Sequence, residues 1–200
     1  MNPEKNQLMS LDTEDLWNRI YTVNPLVIIG STEADGTPNF APKHMAFALG
    51  WDGYFGFVCT PDHSTYQNIR DNKSFSVSYP KPEQIVLSSL TSSPRQMDDT
   101  KPELRVMEQF TADNIPETFL AEGYLFLECL LDRFIDGFGR NSLILGKIIK
   151  ASADEEYLRS ASKDDNDLIY QHPLLCYLYP DRFAVIKKSN GFPFPKGFRK

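Results

Sequence analysis

Two Asp-Gly pairs, Asp35-Gly36 and Asp52-Gly53, constrain this chain most, because each is flanked by short apolar runs rich in β-branched or aromatic residues. Glycine supplies the positive φ of a tight reversal, so each pair predicts a turn between antiparallel strands. Ahead of the first lies Leu26-Val-Ile-Ile-Gly-Ser-Thr32, too short for a helix and readable as a central strand. The chain returns through Pro38-Asn-Phe-Ala-Pro42 and Met45-Ala-Phe-Ala-Leu49. The second turn then leads into Tyr54-Phe-Gly-Phe-Val-Cys59, with Phe55 and Phe57 on one face. The expectation is a three-stranded meander.

The same reading continues downstream. Ser74-Phe-Ser-Val-Ser-Tyr79 alternates strictly and predicts a half-buried strand, while Gly123–Ile135 and Leu143–Lys150 predict a long hairpin closed by Asp136–Asn141. Leu174–Tyr179 and Phe183–Ile186 form another pair about Pro180-Asp181. Helical signals are few. Ser10–Ile20 predicts an amphipathic helix lying over the sheet through Leu16, Trp17 and Ile20. Ser64 and Gln67 match a capping box opening a short helix to Asn72, and Gln84–Leu90 predicts one or two turns burying Ile85, Val86 and Leu90. Between Ser92 and Pro116 no period holds, which predicts a long excursion with weak helix; Ala153–Asp167 reads as solvated. Many strands with local turns and peripheral helices predict a mainly β fold, an antiparallel, Greek-key-like barrel.

Two hundred residues fit one domain: an N-terminal helix over 1–20, a barrel over 21–186 and a basic aromatic tail over 187–200. A net charge of −6 argues against a general nucleic-acid binder, which needs a concentrated basic surface. Cys59, Cys129 and Cys176 show no paired spacing and read as buried, reduced thiols of a cytoplasmic protein. The N-terminus has no apolar run after a basic start, and no stretch is long and apolar enough for a membrane helix. His44, His63 and His172 match no zinc spacing, so no metal is expected. Neither G-x-S-x-G nor G-x-G-x-x-G after a strand occurs.

The candidate site joins Asn39-Phe-Ala-Pro-Lys-His-Met45 to Pro61-Asp-His-Ser-Thr-Tyr-Gln-Asn-Ile69. The first turn of a helix leaves backbone N–H groups without partners and carries partial positive charge, which suits an anion. Ser64 and Thr65 add hydroxyls, and His63 or Arg70 adds charge. Together the segments suit a planar ligand with an anionic tail. Lys43 and His44 lie on opposite faces of a strand, so one of them at most meets that ligand.

Asn39-Phe40-Ala41-Pro42 followed by Thr65-Tyr66-Gln67-Asn68-Ile69, with Leu127-Glu-Cys129 and Leu145-Gly-Lys-Ile148 beyond, resembles the flavin reductase-like family of FMN-binding split β-barrels over about residues 20 to 186. The resemblance implies FMN at or near a homodimer interface, its phosphate held by Ser64, Thr65 and Asn68 near His63. Its ring would lie along Phe40, Ala41 and Lys43, mainly through backbone groups, with Asn39, His44 and Met45 as further cofactor-binding candidates. It also implies hydride transfer from a reduced nicotinamide to the flavin and onward delivery to an acceptor, with no side chain required as acid or base. Lys43-His44-Met45 departs from the family, which often carries Ser or Thr there. The alternatives are a non-catalytic split-barrel module holding flavin or haem, and a related barrel using a deazaflavin or acting on pyridoxine phosphate. Phe192, Phe194 and Phe198 are costly to leave in water, and the tail is expected to cross to a second subunit and cover part of the site.

Overall fold

The computed structural model describes residues 8–97, 100–160 and 162–197. In chain order it comprises α1 (Leu16–Arg19), β1 (Thr22–Pro25), β2 (Val27–Thr32), β3 (Pro38–Lys43), β4 (Ala46–Leu49), β5 (Tyr54–Cys59), α2 (Ser64–Asn72) and β6 (Ser74–Tyr79). Then come α3 (Ile85–Leu90), β7 (Gln109–Thr111), β8 (Thr118–Leu120), β9 (Leu125–Phe138), β10 (Asn141–Ala153), α4 (Asp165–Gln171), β11 (Leu174–Tyr179) and β12 (Arg182–Ile186). Seven strands form one antiparallel sheet in the order β3-β2-β6-β9-β10-β5-β4.

This order corrects the expected meander. The pairs β2-β3 and β4-β5 exist, but β3 and β4 occupy opposite edges of the sheet. Only His44 and Met45 separate the end of β3 from the start of β4. Three residue steps span at most about 10–11 Å. The edges must therefore lie side by side, which curls the sheet into a barrel left open along one seam. The interior agrees: Val27 and Ile29 from β2 share one apolar cluster with Ala46 from β4, Phe55 and Phe57 from β5, Phe75 and Val77 from β6, Leu127 and Cys129 from β9, and Ile144 from β10. Phe57 and Phe75 meet edge to face at 5.3 Å. The fold is a mainly β split barrel, as expected.

The excursion between β6 and β9 is a second layer. Leu104, Met107 and Leu120, with Leu87 beside them, cover Ile28 and Phe40 on the outer face of β2 and β3. The same layer corrects the half-buried reading of β6, whose serine face is also covered. Ser74 Oγ donates to Glu117 Oε1 at 2.8 Å, and Ser76 Oγ donates to the Thr118 carbonyl. Polar side chains on a buried face are stable where they are hydrogen-bonded. In α3 the inward residues are Leu87 and Ser88, not Val86, which is 66% exposed, or Leu90.

Outside the barrel, β1, β11 and β12 form a separate three-stranded sheet. The helix expected over Ser10–Ile20 is a single turn with no buried residue, and Trp17 and Ile20 are each half exposed. Four residues are too few to sustain helix without tertiary packing. Cys59, Cys129 and Cys176 are buried free thiols. Among the described residues no helix is long and apolar enough to cross a membrane.

Candidate functional site

Strand β3 and helix α2 meet at a polar cluster beneath a surface cleft. Asn39 is buried, and its Nδ2 donates to Ser31 Oγ at 3.3 Å and to Thr65 Oγ1 at 3.4 Å; its Oδ1 has no partner among the described residues. Asn68 lies 3.1 Å from the same Ser31 oxygen, oriented so that its amide nitrogen reaches Glu33 Oε2 and the Ser64 carbonyl at 3.3 Å each. Thr65, Asn68 and Ile69 form the buried face of α2 at the i, i+3, i+4 spacing of one helical face. The cluster locks the helix start against the β2-β3 hairpin.

His63, not Ser64, holds the N-cap position, with extended backbone and no side-chain cap, which corrects the capping-box reading. The N–H groups of Tyr66 and Gln67 both bond the His63 carbonyl, whereas those of Ser64 and Thr65 bond nothing among the described residues. Two orphan donors therefore stand at the positive end of a nine-residue helix. They open on a cleft of about 440 Å³ whose lining includes Asn39, Ala41, Lys43, His63, Ser64 and Thr65, faced by Thr91, Arg95 and Lys101 from the excursion.

The charged side chains lining the cleft are the cations Lys43, Arg95 and Lys101 and the carboxylate Asp62. Lys43 faces the cleft, whereas His44 points the other way and stacks on Tyr177 with centroids 4.4 Å apart. Burial, and then the Lys43 charge, hold the His44 imidazole below its usual range, and its Nε2 has no partner among the described residues. His63 is lowered by the same two causes in the same order, so it stands neutral near pH 7. The Lys101 ammonium donates to the carbonyls of Thr91 at 3.1 Å and Phe40 at 3.5 Å, and desolvation holds its pKa below that of an ordinary lysine. Arg95 is ion-paired with Glu33.

The structure thus gathers Asn39, Ala41, Lys43, His63, Ser64 and Thr65 at one cleft, with Asn68 buried behind it. It turns the Phe40 ring into the outer core, leaving the Phe40 carbonyl toward Lys101, and leaves Met45 exposed near the seam. Arg70 pairs with Asp71 at 2.8 Å at the far end of α2. Sequence reading missed Arg95 and Lys101. Their only local signal is a cation beside a proline, Pro94-Arg95 and Lys101-Pro102, within an aperiodic stretch. Among the described residues no group of His, Cys, Asp and Glu is arranged to hold a metal.

Residues 20–178 match the model of the flavin reductase-like domain. The chain belongs to the flavin reductase-like family. Solved structures agree in fold. The chain is similar to flavoredoxin of Methanosarcina acetivorans (TM-score 0.77, 19% identity, 96% of this chain and 98% of that one). It is similar also to nitrilotriacetate monooxygenase component B of Bacillus cereus (TM-score 0.78, 15% identity, 94% and 100%), and to an NADH:FAD oxidoreductase of Streptomyces globisporus C-1027 (TM-score 0.69, 13% identity, 90% and 96%). No curated protein matches the chain. Family membership makes flavin-related oxidoreduction the class of chemistry.

Proposed function

We propose that the protein is an FMN-binding, NAD(P)H-dependent reductase whose cleft between β3, the start of α2 and residues 91–101 holds the flavin by its phosphate. The observation that carries this reading is the pair of unbonded N–H groups of Ser64 and Thr65, opening on a cleft with Lys43 and Lys101 in its wall. Such a constellation fits a phosphate monoester. N–H donors and the helix dipole receive the oxygens, and an ammonium already removed from water gains from a counter-charge. The Asn39 Oδ1 lone pairs remain for a polar edge of a ligand. Ala41 leaves room beside the strand backbone, and Lys43 supplies positive charge where a reduced ring would gather electrons.

The flavin would supply the two-electron chemistry when bound. The chain's residues would anchor the phosphate, present backbone along β3 and keep the site positive. His63, neutral near pH 7, would donate or accept a hydrogen bond without adding charge. Residues 1–200 are proposed to act as one homodimeric unit in the cytoplasm, with the aromatic tail reaching across the interface. Phe192 is 74% exposed and touches Phe194 at 4.6 Å, while Phe198 lies outside the described residues.

The test is the visible spectrum of the purified protein, with mass analysis of what denaturation releases, followed by NADH and NADPH oxidation with FMN present. Released FMN and steady turnover support the reading. Tight flavin binding without turnover would favour a carrier or sensor, and failure to take up FMN would reject it.

A further inference from the structure

The tip of the β9-β10 hairpin, Gly137-Phe-Gly-Arg140, has no part in the cleft lining, yet the fold delivers it to the start of α2. It is pinned on both sides. Ahead of it, Asp136 Oδ1 accepts from the Tyr66 hydroxyl of α2 at 3.2 Å and from Ser142 Oγ at 2.6 Å, while the Tyr66 ring packs on Phe134 with centroids 4.5 Å apart. Behind it, Asn141 Oδ1 accepts from Thr60 Oγ1 at 3.2 Å, and the Thr60 carbonyl receives the His63 N–H at 3.0 Å. Gly137 at φ 101 and Gly139 at φ 63 make the reversal between these pins. The one charged residue between them is Arg140, which is exposed and ion-paired with no carboxylate among the described residues. Its charge is felt in the cleft. Burial first, then the charges of Lys43, Lys101 and Arg140, lower the His63 imidazole against the opposing Asp62. The cleft itself is furnished for a ligand, because the buried Asn39 in its wall keeps an Oδ1 without a partner among the described residues, beside the N–H groups of Ser64 and Thr65.

We infer that Arg140 is a specificity-determining residue: its guanidinium closes on the outward oxygens of a terminal phosphate monoester held at the start of α2, and so selects ligands that end in phosphate over ligands whose phosphate is esterified twice. The inference rests on the phosphate reading of α2 and adds the residue that sets its ligand class. A terminal monoester carries three acceptor oxygens. The N–H groups of Ser64 and Thr65 take those turned toward the helix, which leaves one edge of the group facing out of the cleft. A planar guanidinium fork matches such an edge with two parallel donors. A doubly esterified phosphate spends its free oxygens on the helix start and presents its second ester group to Arg140 instead. Because Arg140 is exposed and holds no other side chain, its replacement leaves the barrel core and α2 intact.

The experiment is fluorescence-quenching titration of wild type, Arg140→Gln and Arg140→Lys with FMN, FAD and riboflavin, together with an amide chemical-shift titration with inorganic phosphate. R140Q should weaken FMN about tenfold, as expected for losing a charge-assisted pair to phosphate, while riboflavin and FAD stay within about twofold of wild type. R140K, which keeps the charge without the fork, should recover part of the loss. FMN affinity equal in wild type and R140Q would overturn the inference and leave the flavin reading standing. Equal losses for FMN, FAD and riboflavin would also overturn it, since they would mark a residue that only supports the fold. Inorganic phosphate that moves the Ser64 and Thr65 amides about tenfold more weakly in R140Q than in wild type, in a chain that takes up no flavin, would uphold the inference and reject the flavin reading.

Discussion

Lys101→Met separates a site cation from a structural one, because the two roles predict different signs. The ammonium donates to the Thr91 carbonyl at 3.1 Å and, at the limit of bonding, to the Phe40 carbonyl at 3.5 Å. Losing one neutral acceptor's bond costs about 0.5–1.5 kcal/mol. Against this stands the relief of removing a partly buried charge held only by dipoles; the side chain keeps some solvent access, so only a fraction of the burial penalty of several kcal/mol applies. The two nearly cancel, and Tm should move by no more than about 2–4 °C, the shift that about 1 kcal/mol produces in a chain of this size. FMN binding should respond quite differently. A charge-assisted hydrogen bond to phosphate is worth about 1.5–3 kcal/mol, so affinity should fall about tenfold to a hundredfold. Flavin fluorescence quenching gives the affinity, and differential scanning gives the Tm. Unchanged FMN affinity with a Tm drop of about 10 °C would show that Lys101 holds the excursion and nothing else.

Gly146→Ala should destabilise by about 1–3 kcal/mol, because the new methyl would lie 2.5 Å from the Phe75 ring inside the barrel; urea midpoints test it, and a midpoint equal to wild type would refute the packing described. Stability should fall as pH drops from about 6.5, because His44 and His63 are held below their ordinary pKa and the unfolded chain binds those protons first. His44→Phe, which keeps the stack on Tyr177, should flatten part of that slope in urea titrations between about pH 5 and 7, and an unaltered slope would exclude His44 as a source. Glu117 has the opposite sign. Burial raises its pKa against the Ser74 hydrogen bond, so its contribution is present below the ordinary carboxylate pKa and is lost as pH rises through the folded value. Glu117→Gln should therefore gain stability relative to wild type at pH 8 compared with pH 4, and a constant difference would refute this.

The strands were legible because their signals are local. Asp35-Gly36 turns as expected, with Gly36 at φ 84 and its N–H bonded to the Glu33 carbonyl, and Asp52-Gly53 closes β4 onto β5. What the residues could not reveal was which edges meet. Pro38–Lys43 and Ala46–Leu49 look like consecutive partners, yet they end at opposite edges because the sheet curls, a consequence of seven strands sharing one core. Strand β1 and the short pair β7-β8 escaped notice because three or four residues show no period, and β1 finds its partner only in β11, where Asn24 pairs with Tyr177. The serines of β6 read as solvent-facing because their acceptors, Glu117 and Thr118, lie some forty residues away in sequence.

At the site, the α2 half was readable, since an anion-binding helix start is a local pattern. The facing half was not. Arg95 and Lys101 reach the cleft only because Leu104 and Met107 dock their segment on Ile28 and Phe40, a long-range apolar contact with no short motif. Lys43 and His44 show how strand alternation separates neighbours: one joins the cleft and the other joins the Tyr177 stack.

The central claim is that an anionic flavin tail sits on the start of α2, and the most direct measurement is an amide chemical-shift titration of the protein with FMN. The account predicts that the Ser64 and Thr65 amides move most and saturate with the flavin fluorescence, and that riboflavin, which lacks the phosphate, moves them far less. Shifts confined to the β1-β11-β12 sheet, or equal responses to FMN and riboflavin, would contradict it.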